Sequence, residues 1–362
     1  MSNRLSKLLS QHPLLLADGA TGTNFFAAGL QTGDAPEMWN VEQPEKVREL
    51  QQAFVDAGSD IILTNTFGGT RNRLKLHQAQ DRVREINMAA AEITCSVARN
   101  AGREVVVAGS MGPTGDLFVP LGELTMEQGI AAFTEQAEAL AEGGVDVLWI
   151  ETISAVEEVQ AAVTAAAATG LPVVCTFSFD TNGRTMMGVT PGQVATLMQN
   201  LASLPVAYGG NCGVGAAELV AAISNMAETA QPDDVLIAKS NCGIPEYVDG
   251  AIRYNGTPEL MADYVQIVAD AGARIIGGCC GTSPEHLRAM RNAMDNYVKG
   301  EKPSLDNIIA RLGQISTGAE EQHRSGPLGE KPAVQSADKG RRRRGRDPKR
   351  KAADDGSFPG GE

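Results

Sequence analysis

Between residues 14 and 280 short apolar runs keep returning, each followed by polar or small residues and then by a longer amphipathic stretch. The runs are LLLADGA (14–20), IILTNTF (61–67), EVVVAGSM (104–111), DVLWIET (146–152), VVCTFSF (173–179), VAYGGNC (206–212), VLIAKSN (235–241) and ARIIGGCC (273–280). None alternates cleanly and several are β-branched, which predicts strands buried on both faces. The stretches between them have helical spacing. In PEKVRELQQAFVDAGSD (44–60) the apolar Val47, Leu50, Phe54 and Val55 recur at helical intervals, and the stretch ends on Ala-Gly, a C-cap signal. GGVD and AGAR close the stretches before the fourth and eighth runs in the same way. Strand then helix, eight times over, predicts an α/β chain folded as a (β/α)8 TIM barrel. A doubly wound open sheet is the alternative, and eight units of this length favour closure.

The polar residues gather at one end of the runs. Asp18 follows the first, Thr64, Asn65 and Thr66 follow the second, and Glu151 follows the fourth. Asn211 and Cys212 close the sixth, Ser240 and Asn241 the seventh, Cys279 and Cys280 the eighth. The C-terminal ends of barrel strands converge on one mouth, where this fold places its chemistry. Asp60, Asp146, Asp233 and Asp234 precede strands and belong to the opposite face, as caps or stabilising groups.

Composition narrows the setting. The chain has 362 residues, 43% of them hydrophobic, enough for a large core. No run reaches the roughly 18 apolar residues of a membrane span, and the N-terminal segment lacks the clean apolar core of a signal peptide. Six cysteines in this length are too few for a disulfide-stapled secreted domain, so a reducing cytoplasm is expected. The net charge is −13, although residues 301–362 carry 13 Lys and Arg against 10 Asp and Glu. The remainder is therefore strongly acidic, which argues against nucleic acid as a partner. Residues 1–300 are expected to form the barrel, and 301–362 a disordered tail poor in apolar residues, in which LDNIIARLG (305–313) is the one stretch that could dock as a short helix. The tail's RRRRGRDPKRK (341–351) is either a solvated appendage or a contact for an anionic partner.

Adjacent Cys279 and Cys280 do not suit a mutual disulfide, but with Cys212 on the same rim they make three thiolate ligands. Such a set suits Zn²⁺ and leaves a fourth position open, as in a catalytic site. His12, His77, His286 and His323 show no metal-ligand spacing. A substrate thiol in the open position would be held deprotonated. Asp18 and Glu151 can hold an ammonium group, and the turn DGATGT offers backbone N–H groups for a carboxylate. An amino acid with a thiol side chain satisfies all three. Cys95 and Cys175 read as core, Cys242 as an incidental thiol near the rim. Met186 and Met187 lie where they could line a donor pocket or merely pack. An aldolase-like Schiff base on Lys239 would leave the three thiols unexplained.

These residues resemble the homocysteine S-methyltransferase family. The resemblance rests on DGATGT (18–23), SDIILTNTFGGTR (59–71), GPTG (112–115), Glu151-Thr152, GGNCG (209–213) and GGCCGTSPEH (277–286), and it runs from about residue 10 to 295. It implies a zinc-bearing barrel that methylates homocysteine to methionine. The zinc thiolates fall on Cys212, Cys279 and Cys280, the amine-binding carboxylates on Asp18 and Glu151, and the carboxylate-binding amides on Gly19 and Ala20. Asn211 lies with them among the substrate-binding positions. Asn241 matches a position that fills the fourth metal site before substrate arrives. Betaine-dependent members carry aromatic residues where Gly68 and Thr152 stand here, and both departures resemble methionine synthase. The expected donor is a small onium compound such as betaine, with Trp39, Phe67, Phe118 and Tyr208 as candidates for an aromatic cage. The alternative is a homocysteine-activating subunit that takes its methyl group from a separate corrinoid protein.

Overall fold

A computed structural model describes residues 3–248 and 251–326. Ten strands occur there: β1 (Leu15–Leu16), β2 (Ile61–Leu63), β3 (Val106–Met111), β4 (Val147–Ile153), β5 (Val173–Phe177), β6 (Ala207–Cys212), β7 (Leu236–Ser240), β8 (Pro245–Val248), β9 (Ala251–Tyr254) and β10 (Ala273–Gly278). Eight form one parallel sheet in the order β1-β10-β7-β6-β5-β4-β3-β2. A parallel bridge from Ala17 to Ile61 joins the first to the last, so the sheet is a closed (β/α)8 barrel. Each of the eight predicted runs supplies one of these strands. The hairpin β8–β9 was not legible as part of that pattern; it is an antiparallel insertion between β7 and the helix Pro258–Asp270.

Two apolar layers hold the barrel. Side chains alternating along the strands fill its interior: Leu15, Ala17, Ile61, Leu63, Val106, Ala108, Val147, Trp149, Val174, Ile237 and Ile275. Leu5 and Leu8 join them from the helix Arg4–Gln11. The outer faces of the strands meet the helices in a second, larger core. The helix Pro44–Asp56 follows its apolar spacing, with Val47, Phe54 and Val55 buried and Leu50 half-buried. Cys95 and Cys175 are buried in the outer core, as expected.

The aspartates that precede strands work at the far end of the barrel. Asp60 accepts the Leu16 N–H and pairs with Arg291. Asp146 accepts the Val107 N–H and pairs with Arg4. Asp234 accepts the Tyr208 hydroxyl.

The limit expected at residue 300 falls inside the packed unit. Two helices beyond it, Leu305–Leu312 and Thr317–Ser325, lie against the barrel through buried Ile308, Leu312, Ile315 and Ala319. Arg311 pairs with Asp263, and Ser316 donates to Glu218. Composition hid this, because four small contacts suffice to hold helices that are polar elsewhere. The basic run 341–351 lies outside the described residues. Among the described residues no helix is long and apolar enough to cross a membrane.

Candidate active site

The strand ends deliver the cysteines to one point. Cys212 ends β6 and pairs in register with Ser240 of β7, which pairs in turn with Gly278 of β10, one residue before Cys279. The sulfurs of Cys212, Cys279 and Cys280 all lie within 4.8 Å of one another. That spacing fits ligands of one tetrahedral ion, whose bonds to sulfur are about 2.3 Å. Cys212 takes φ +60°, a left-handed conformation, and Gly281 takes φ +81° just after the pair. These two turns aim three side chains from two loops at one centre. A Cβ on Gly281 would meet the Tyr254 ring at 2.5 Å, so only glycine lets the β9 end close over the pair.

The thiols reinforce the case for a cation. Cys212 and Cys280 are pushed up to about 12, and Cys279 is raised further. For each, the contacts with the two neighbouring sulfurs come first, one lowering and one raising; burial then tips Cys212 and Cys279 upward, and the charge of Cys279 followed by burial does so for Cys280. Three thiols this close resist ionising together until a divalent cation compensates them. Cys242 is fully buried and stands outside the cluster.

A polar frame fixes the cysteine loops. Asn241 Oδ1 accepts the Cys280 N–H at 3.1 Å, and its Nδ2 donates to the Gly213 carbonyl at 2.7 Å. Both ends of this amide are thus engaged in tying β7 to the two cysteine loops. Asn211 Oδ1 accepts the Thr152 N–H, while its Nδ2 donates to Thr152 Oγ1 and points at Cys279 Sγ at 3.9 Å. Thr152 itself has φ +63°, a conformation costly for a β-branched residue. The β4–β5 register shifts between Ile150 and Ile153, so the strand bulges at Glu151 and Thr152. Sequence reading placed Glu151 at the rim but gave no sign of the kink that turns it.

Below the sulfurs lies a buried charged layer. Glu151 is 8% exposed, and its Oε1 accepts the Ser110 hydroxyl. Asp18 is 0% exposed, with Oδ1 bound to Lys239 Nζ at 2.7 Å and Oδ2 accepting the Leu63 N–H at 2.7 Å. The Lys239 ammonium also sits 5.5 Å from the Trp149 ring centroid. Burial raises both carboxyls, and the Lys239 ammonium opposes the shift in each. Lys239, the amine an aldolase-like Schiff base would use, is a buried ion-pair partner. The DGATGT turn reaches the same rim: the Ala20 N–H donates to the Thr282 carbonyl, while the Gly19 N–H has no protein acceptor among the described residues. A Cβ at Gly19 would lie 2.6 Å from that carbonyl, so the turn touches the loop after β10 only because residue 19 is glycine.

The four aromatic candidates do not come together. Trp39 packs on Phe25 under Lys46. Tyr208 is buried on the outer face of β6, its hydroxyl on Asp234. Phe67 is partly exposed beside Gly112. Phe118 lines a separate groove with Leu117, Val119, Leu121, Met186 and Met187, beside the ends of β4 and β5.

The comparisons with known proteins agree with this geometry. The chain is 28% identical to the methionine synthase of Mycobacterium tuberculosis (strain ATCC 25618 / H37Rv), over 85% of this chain and 27% of that protein. It therefore spans about a quarter of the length of that relative. Among solved structures, the metallated form of the homocysteine methyltransferase MmuM from Escherichia coli superposes with a TM-score of 0.68 at 25% identity. The match covers 80% of this chain and 99% of that one. A methyltransferase from Methanosarcina mazei shares the fold, with a TM-score of 0.51 at 12% identity, 82% of this chain and 99% of that one being covered. The family model for homocysteine S-methyltransferases matches residues 15–294, which include both cysteine loops, Asp18 and Glu151, and the chain belongs to that family.

Proposed function

We propose that the protein is a zinc-dependent S-methyltransferase that converts homocysteine to methionine, with Cys212, Cys279 and Cys280 as the metal ligands. The carrying observation is the cluster of three sulfurs within 4.8 Å at the barrel mouth, close to the buried carboxylate of Glu151. The donor set, all thiolate with a fourth position for an incoming sulfur, suits Zn²⁺ among the common divalent ions. Zinc bound there supplies a Lewis acid that keeps the substrate thiol deprotonated at neutral pH. The chain's own residues do the rest. The acidic pair Asp18 and Glu151 attracts the substrate ammonium, and the DGATGT turn offers the Gly19 N–H to its carboxylate. Asn211 braces the kinked Glu151–Thr152 segment, and Asn241 holds the two cysteine loops at fixed separation while one lone pair of its Oδ1 stays available to the resting metal. Free thiols in this number carry with them a reducing, cytoplasmic setting.

The donor we infer is a small onium compound, betaine first. The substrate sulfur attacks the methyl carbon, the S–C bond forms as the C–N bond breaks, and the donor leaves as a neutral tertiary amine. In support, the barrel alone matches the full length of the Escherichia coli homocysteine methyltransferase. A methyl-corrinoid protein is the second reading, favoured by the methionine synthase relative and by Gly68 and Thr152 in place of aromatic residues. Purified protein with zinc and homocysteine, offered betaine, S-methylmethionine or a methylated corrinoid protein in turn, decides the matter by the methionine formed. Methionine from none of the three would remove the assignment.

A further inference from the structure

We propose that the groove between the loops after β3, β4 and β5 is a binding site for a small quaternary ammonium cation, held there by Glu158. None of the three clustered cysteines lines this groove. The inference goes beyond the homocysteine reading and does not depend on it.

Three observations carry it. The groove has a volume of about 250 Å³, and the titratable side chains that line it are all acidic: Asp116, Glu157 and Glu158. Glu158 is the second. It stands in the first turn of the helix Val156–Ala167 and is 7% exposed. Its Oε1 accepts both the Thr114 N–H at 2.9 Å and the Thr114 hydroxyl at 2.8 Å. Its Oε2 has no protein donor among the described residues and keeps contact with solvent. Burial raises this carboxyl, the Thr114 bonds oppose, and the charge of Asp116 raises it further, so no neighbouring cation compensates it. The third is the pair of walls. Leu117, Val119, Leu121 and Met186 are each more than half exposed, although apolar side chains gathered in one place are rarely left to water without a use.

The walls are fixed before any ligand arrives. The Val119 N–H donates to the Leu124 carbonyl and the Leu124 N–H to the Leu117 carbonyl, which closes the first wall on itself. Thr185 is buried and donates its hydroxyl to the Ser154 carbonyl at 2.7 Å, which pins the turn carrying Met186 and Met187 to the end of β4. Such a site suits a cation whose charge is wrapped in methyl groups. A metal ion or a primary ammonium would lose water that apolar walls cannot replace. A quaternary ammonium has no N–H to satisfy. It gains contact with the Phe118 ring and the polarizable methionine sulfurs, and it meets one buried negative charge. A ligand with a carboxylate of its own would set that group against the same acids.

The test is ligand-observed nuclear magnetic resonance on the full-length protein. Choline is the probe, and the control is its uncharged carbon isostere, in which tert-butyl replaces trimethylammonium. Choline should bind saturably, about tenfold more tightly than the isostere, and more tightly than betaine. Glu158→Gln keeps an oxygen for both Thr114 bonds and removes the charge, so it should weaken choline binding about tenfold, the scale of one lost contact with a charged group. Met186→Lys, at a position 70% exposed, brings a competing cation to the rim. It should weaken choline at least as much without lowering the melting temperature. Should Glu158→Gln fail to fold, Met186→Lys decides alone. Equal binding of choline and the isostere would overturn the proposal, because the groove would then be indifferent to charge. Wild-type choline affinity in either folded variant, or no saturable binding of choline at all, would overturn it equally.

Discussion

At the scale of single residues, the proposed function assigns recognition of the substrate ammonium to Asp18 and Glu151. Glu151→Gln should weaken homocysteine binding by about 1.5–3 kcal/mol, the scale of a hydrogen bond to a charged group, and leave zinc content unchanged. Titration calorimetry on metal-loaded protein measures both. Burial raises the Glu151 carboxyl above its usual range, with Lys239 and Ser110 opposing. The folded chain thus takes a proton there more readily than the unfolded chain, so ionised Glu151 costs stability as pH rises through that value. Two results follow. Homocysteine affinity should begin to fall at a higher pH than an ordinary glutamate would give, as acid neutralises the acceptor. Glu151→Gln should also melt no lower than wild type at neutral pH. At this scale the sequence was informative about identity and silent about conformation. Cys212, Cys279, Cys280 and Glu151 stood out because strand ends in a barrel share one mouth. The left-handed backbone at Thr152 and the ion pair of Asp18 with Lys239 did not, since both depend on side chains 59 and 221 residues away.

Elements decide how firmly the site is held. Asn241 ties β7 to both cysteine loops, and outer partners of this kind commonly set metal affinity by 10–100-fold. Asn241→Ala should therefore loosen zinc by about that factor, read by competition with a chelating dye, while the far-ultraviolet circular dichroism stays unchanged. Retention of wild-type zinc affinity would deny Asn241 its bracing role. The strands were legible because doubly buried strands must be apolar throughout, and that leaves a plain mark. The hairpin β8–β9 left none, being short and surface-bound. Helical spacing in LDNIIARLG (305–313) marked the helix Leu305–Leu312, but Thr317–Ser325 was hidden for a related reason: high charge and small residues resemble disorder, yet Ala319 is buried. A cut after residue 316 would strip the second of these helices. It would uncover Gly183, whose α-carbon region Ala319 covers, and lose the Gln322 bond to the Asn182 carbonyl. That truncation should cost about 1–2 kcal/mol, the sum of a buried methyl group and a hydrogen bond.

The molecule as a whole separates its stability from its chemistry. Below the Asp18–Lys239 pair the interior of the barrel is filled by aliphatic side chains and Trp149, with Leu5 and Leu8 packed among them. The larger core between strands and helices likewise contains none of the three clustered cysteines. A metal held at the mouth would therefore constrain loops that the rest of the barrel does not need in order to fold. This contrasts with small zinc domains, where the ion replaces a core and its loss unfolds the chain. Removing the metal with a chelator under reducing conditions should abolish methionine formation and leave strand and helix content intact. The melting temperature should fall only by what preferential binding to the native state provides, and so should rise again with added zinc in a concentration-dependent way. Added Zn²⁺ should also restore turnover in proportion to the metal bound, reaching its limit at one ion per chain. Collapse of the circular dichroism on chelation would show the cysteine cluster to be a structural staple, and would move the site's purpose from chemistry to folding.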